Sequence, residues 1–134
     1  DSIEKDILFL DNNINKYFAP TIKERFMLKQ ISLLNEYELY GEIIELSTKY
    51  LNSKVPSPNL LYARAMAYEE LREIKLMEKD LTTVLLIDKK NANTLNALGY
   101  SLAVHTQRYD EAYALIHEAH LYDPGSAAIL DSLG

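Results

Sequence analysis

The chain reads as all-α: about eight helices, paired antiparallel and stacked into a repeating array. Three observations predict this. The dipeptide Leu-Gly stands at Leu98-Gly99 and again at Leu133-Gly134, 35 residues apart, with Leu95 and Leu130 each three residues ahead of it. Leu61 and Ala65 lie 34 residues before Leu95 and Gly99. Apolar residues recur at helical spacing along almost the whole chain, without the Val- and Ile-rich alternation of strands. Only four Gly and four Pro occur in 134 residues, which suits long helices joined by short turns. Small residues at a fixed period are what repeated helix crossings require, because close approach leaves no room for a large side chain.

Each element has its own local reason. Ile3, Ile7, Leu8, Leu10, Ile14 and Phe18 make a first amphipathic stretch that ends at Ala19-Pro20, since proline cannot continue a helix. Thr21 is expected to cap a second stretch, Ile22 to Tyr37, with Glu24 completing a capping box. Tyr40-Gly41 is expected to turn the chain into a third stretch, Glu42 to Leu51. The segment 52–58 is the clearest loop, and Ser57 is placed to cap a fourth stretch, Asn59 to Arg72, with Pro58 in its first turn. A fifth stretch runs from Ile74 to Ile87 and is broken by Asp88-Lys89-Lys90-Asn91. The sixth runs from Ala92 to Val104. Asp110 opens a seventh that stops at Asp123-Pro124-Gly125, and Ser126 caps an eighth.

Composition narrows the function. The net charge of −6 argues against general affinity for nucleic acid or an anionic membrane surface. Cysteine is absent, so disulfides, thiolate metal sites and a Cys nucleophile are excluded while the compartment stays open. No apolar run reaches the ~20 residues of a membrane span, so no direct membrane insertion by this segment is expected. No secretory signal is visible. Asp1 is not a natural start, and the chain stops inside a repeat, which reads as a piece of a longer protein.

The array resembles the tetratricopeptide repeat, a helix–turn–helix of ~34 residues with the pattern W-x2-L-G-x2-Y…A-x3-F…P. The best copy spans 92–126, with Leu95 at the Trp position, Leu98-Gly99 at Leu-Gly, and Leu102 at Tyr. Ala112, Ile116, Ala119 and Pro124 follow, after one extra residue in the His105–Arg108 turn. In 58–91 the corresponding residues are Leu61, Ala65, Tyr68, Met77, Leu81 and Val84. In 24–57 the match fades to Met27, Ile31, Leu34, Tyr40, Ile43 and Tyr50. Residues 1–20 then fit the second helix of a preceding repeat, and 127–134 the first helix of a truncated one. Leu60 to Glu69, Leu95 to Tyr100 and Ala128 to Gly134 look like a group of bacterial tetratricopeptide proteins, many of them envelope lipoproteins. That narrower resemblance implies the periplasmic face of the outer membrane; without it a cytoplasmic place is expected.

The family resemblance implies a non-catalytic scaffold or adaptor that binds a peptide or protein segment in a concave groove. The groove is lined by the first helix of each unit. Carried over by position, the candidates are Arg25 in the first unit, Asn59, Tyr62, Met66 and Glu69 in the second, and Asn93, Asn96 and Tyr100 in the third. Asn amides can hydrogen-bond a peptide backbone without reading its side chains, while Tyr and Met give adaptable apolar contact. Chaperone-binding members clamp a C-terminal carboxylate with Lys and Asn. Here those places hold mostly Leu28, Ser32, Tyr62, Ala63 and Met66, so that mode is not expected.

Other constellations read as structure. Arg64 falls beside the small residue of its repeat and needs a carboxylate, for which Asp80, Glu69 and Glu73 are in range. His117 and His120 share one helix face but have no evident third metal ligand. Ser101, Ser126 and Ser132 lack a His/Asp arrangement, the adjacent acidic pairs point different ways, and no glycine-rich phosphate loop exists. No enzyme and no cofactor are expected. The alternative is self-assembly, oligomerisation through the repeat surfaces or a homodimer through the C-terminal end, where the apolar side of the last stretch, Leu130 and Leu133, would pack on another copy. RNA binding by a helical repeat conflicts with the acidic charge.

Overall fold

The computed structural model describes residues 2–7, 20–52 and 56–134. Residues 2–7 are helical. Seven helices follow: α1 (Pro20–Glu36), α2 (Tyr40–Leu51), α3 (Pro58–Glu70), α4 (Ile74–Ile87), α5 (Ala92–His105), α6 (Tyr109–Tyr122) and α7 (Ala127–Leu133). No strand occurs among the described residues. Leu8, Leu10, Ile14 and Phe18 of the first apolar stretch lie outside the described residues, as do 53–55 of the long loop.

Three starts carry side-chain caps, of which Ser57 and Ser126 are the two read from the sequence. Ser57 Oγ accepts from Leu60 N at 3.2 Å, with Pro58 as the first helical residue. Asn91 Oδ1 accepts from Thr94 N at 3.0 Å, and Ser126 Oγ from Ile129 N at 3.4 Å. Each satisfies an N–H that has no partner within its helix. Two expectations are corrected. α1 begins at Pro20, so Thr21 lies in its first turn and is not the cap. A proline that stops one helix can open the next, because its fixed φ suits the first helical position. Glu24 is not a capping-box residue either: its Oε1 accepts from Ser57 Oγ and, at 3.5 Å, from Asn59 Nδ2, tying α1 to the start of α3.

The second correction concerns the turn before α2. It lies at Tyr37–Leu39, and Tyr40 and Gly41 are already helical. Glu38 has φ 56°, and Leu39 N donates to Leu34 O at 2.9 Å while Glu38 N donates to Asn35 O at 3.0 Å. The α3–α4 turn repeats this: Arg72 has φ 60°, Glu73 N reaches Tyr68 O at 2.8 Å, and Arg72 N reaches Glu69 O at 2.9 Å. Both are Schellman ends with a side chain where glycine is the usual residue. The extra residue in the α5–α6 turn gives a different ending. There Thr106 Oγ1 donates to Leu102 O at 2.5 Å and accepts from Arg108 N at 3.1 Å, and no left-handed residue is needed.

Left-handed backbone is disfavoured for residues with a Cβ. Arg72→Gly should therefore raise stability by about 0.5–1 kcal/mol, measured as a higher urea midpoint at unchanged slope. A lower midpoint would mean that the Arg72 side chain contributes more than its backbone strain removes.

The stack forms by successive antiparallel pairing. α1 packs on α2, α3 on α4 and α5 on α6, while α2, α4 and α6 each also pack on the helix that follows. Contact within one layer belongs to the first helices: α1 touches α3, and α5 touches α7. These first helices are the layer expected to line the groove.

The core follows the repeat positions. Met27, Leu34 and Ile43 are buried with Ile7, and Gln30 Nε2 holds the N-terminal segment by donating to Ile7 O at 2.9 Å. Ala65, Met77, Leu81, Leu98, Leu102 and Ala112 form the next cluster, and Leu95, Ile116, Ala119 and Ile129 the last. At Gly99 a Cβ would stand 2.6 Å from Ile116 Cγ1 and 2.8 Å from Ala112 O, closer than real Cβ atoms approach. The small residue expected at this crossing is thus required by backbone on the facing helix. Ser47 fills the place that Leu81 and Ile116 hold in the later units; fully buried, it donates to Ile43 O at 2.5 Å.

Candidate functional site

The residues expected in the groove lie on the first helices of the units. Arg25 is exposed on α1, and Asn59 is exposed at the start of α3, beside Glu24. Tyr62, Met66 and Glu69 are half-buried on α3, four and three residues apart, so they share one face of that helix. On α5, Asn93 is exposed, Asn96 is buried, and Tyr100 keeps 53% of its surface. Tyr62 and Met66 of α3 and Ala97 and Ala103 of α5 pack against the same central cluster, so the two helices flank one wall.

His105, at the end of α5, belongs to this wall and was not among the expected residues. Its Nε2 lies 3.9 Å from Glu69 Oε2. It stands five residues beyond Tyr100, the last groove candidate of this unit; the nearness to Glu69 depends on how α3 and α5 line up. Burial pushes the Glu69 carboxyl above the ordinary carboxylate range; the nearby imidazole opposes this and Glu70 adds to it. Burial, then the Glu69 charge, pushes the Tyr62 hydroxyl upward. Two acceptors in this region are shielded from water with no hydrogen-bond partner: Glu69 Oε2 and Asn96 Oδ1.

Arg64 is not part of the open wall. Its Nε and Nη2 donate to the two Asp80 oxygens at 2.7 and 2.8 Å, and Nη1 donates to Thr48 Oγ1 at 3.0 Å, joining α2, α3 and α4. Of the three carboxylates in range, Asp80 is the partner. The guanidinium also lies 5.8 Å from the Tyr68 ring centre. On the outer layer His117 is exposed and stacks on Tyr113 at 5.9 Å. His120 is half-buried rather than solvated, with Nδ1 shielded and unpartnered. Among the described residues no helix is long and apolar enough to cross a membrane.

Comparison with known proteins places this arrangement. No family model matches the chain. A TPR repeat-containing protein of Pseudomonas aeruginosa is 51% identical over 76 residues, which is 57% of this chain and 13% of that protein. The second TPR domain of human RPAP3, solved with an HSP70 peptide, superimposes with a TM-score of 0.75 at 21% identity, over 86% of this chain and 95% of that one. The chain carries the tetratricopeptide-repeat fold. The TPR domain of Arabidopsis OM64 gives 0.74 at 22% identity, over 81% and 89% of the two chains. The first TPR domain of Spaghetti, bound to an HSP90 peptide, gives 0.73 at 18%, over 81% and 85%. This tetratricopeptide array thus spans about an eighth of the curated relative's length.

Proposed function

We propose that this tetratricopeptide array is a non-catalytic interaction module that holds a segment of another protein in the groove formed by α1, α3 and α5. The observation that carries the reading is the α3–α5 wall: exposed and half-exposed Tyr62, Met66, Asn93 and Tyr100, beside acceptors that have no internal partner. Two structural neighbours were solved with peptides bound, which supports a segment as ligand. A C-terminal carboxylate clamp is not supported, because Leu28, Ser32, Tyr62, Ala63 and Met66 stand at most of its positions. The bacterial relative is in keeping with a cell-envelope adaptor, a placement that rests on the sequence resemblance.

Tyr62→Ala and Tyr100→Ala are each expected to weaken binding by about 1 kcal/mol or more, the usual effect of truncating an aromatic anchor. Isothermal titration with a peptide selected from a random library measures this, and circular dichroism should show unchanged helicity. Full affinity in the double variant would remove the assignment to this face.

A second reading, self-assembly, is favoured by α7, whose Ile129 is buried while Leu130 and Leu133 remain 48% and 37% exposed. Light scattering separates the two: a mass that stays monomeric across concentration speaks for the adaptor, and a dimer lost in Leu130→Glu speaks for assembly through this end.

A further inference from the structure

The groove wall has a charge asymmetry that the fold itself does not use. Glu69 Oε2 is shielded from water and accepts no hydrogen bond. His105 Nε2, at 3.9 Å, lies beyond the 2.7–3.2 Å of an ordinary N–H···O bond. Arg64, the cation five residues earlier on the same helix, is occupied by Asp80 and Thr48. A second shielded acceptor, Asn96 Oδ1, is also unpartnered, on a side chain that keeps only 9% of its surface. Shielded acceptors without donors are uncommon in folded proteins, and a carboxylate gains most from a charged donor. Tyr62 and Met66 continue the face from Glu69 over about two helical turns, roughly 10 Å. An aliphatic stem with a cationic head matches that sequence of apolar surface followed by carboxylate.

We propose that this wall takes up one lysine or arginine side chain of the bound segment, with Glu69 as counter-ion, Tyr62 and Met66 along its stem, and Asn96 accepting from a donor of the same segment. The proposal rests on the groove reading and adds the chemistry of the ligand to it. The net charge of −6 favours the approach of such a segment.

The test uses a random dodecapeptide library displayed on phage and selected against the 134-residue chain. Lys or Arg should be enriched at one position of the selected peptides. Glu69→Gln should then weaken the best lysine peptide roughly tenfold or more, and leave its norleucine counterpart unchanged. The lysine-to-norleucine change in the peptide reads the same pair without altering the protein, so a folding defect in the variant cannot hide the result. No basic preference, or equal loss for both peptides, overturns the cation site. If Tyr100→Ala still weakens binding in that case, the groove reading stands without it. Absence of any selected peptide, or binding indifferent to Tyr100, overturns both.

Discussion

Asp80→Ala is expected to lower the unfolding free energy by about 3–5 kcal/mol, the range seen when one partner of a buried ion pair is removed. The Asp80 side chain is 5% exposed and that of Arg64 17%, and the pair is bidentate. Without the carboxylate, the guanidinium keeps only Thr48 and the face of Tyr68 while staying largely out of water. The loss reflects a stranded charge more than a strong bond. Replacing both residues by apolar ones, Arg64→Met with Asp80→Leu, should therefore recover most of the stability. Arg108, which binds Glu78 at 2.8 and 2.9 Å and Glu111 on the open surface, supplies the contrast. Glu78→Ala should hardly move the urea midpoint, because solvent screens that network. A single Asp80 variant as mild as Glu78→Ala would show that the buried pair is better hydrated than its geometry implies.

Gly99→Leu is expected to cost about 3 kcal/mol, the upper part of the range for overpacking a core. The Cβ alone would meet Ala112 O at 2.8 Å, and backbone cannot move aside as a side-chain end can. Even Gly99→Ala should destabilise, although alanine is the better helix former by about 1 kcal/mol. His117→Leu, at an exposed position of α6, is the control and should be nearly neutral. Equal thermal midpoints for the Gly99 and His117 variants would contradict the close crossing of α5 and α6.

The large features were legible because they follow from spacing. Leu95, Gly99, Leu102, Ala112 and Ile116 recur at a period that only stacked helix pairs explain, and all are buried. The Ser57 and Ser126 caps were legible because a short polar side chain ahead of an apolar run has a specific hydrogen bond to make, whereas Asn91 reads only as part of a break and its cap is seen in the structure. The left-handed turns were not, since Glu38 and Arg72 carry no mark of positive φ where glycine would have shown it. The start of α1 was missed because a single proline, Pro20, serves equally as stop and start. Ser47 gave no warning that it fills a core place held by Leu81 and Ile116 in the other units.

The candidate groove residues were readable only as a list of positions. Asn93 and Asn96 are the same residue type three apart on one helix, yet the first is exposed in the opening turn and the second is buried with an unpartnered oxygen. His105 came into view only through the nearness of α5 to Glu69. Such facts depend on how neighbouring units lie against each other, which one helix's pattern does not encode.

Amide chemical-shift mapping of a selected dodecapeptide on the labelled chain tests the central claim most directly. Shifts should concentrate on α3 and α5, around Tyr62, Met66, Glu69, Asn96 and Tyr100, with α4 and α6 little changed. Shifts centred instead on α4 and α6, around Tyr113 and His117, would contradict a concave binding face.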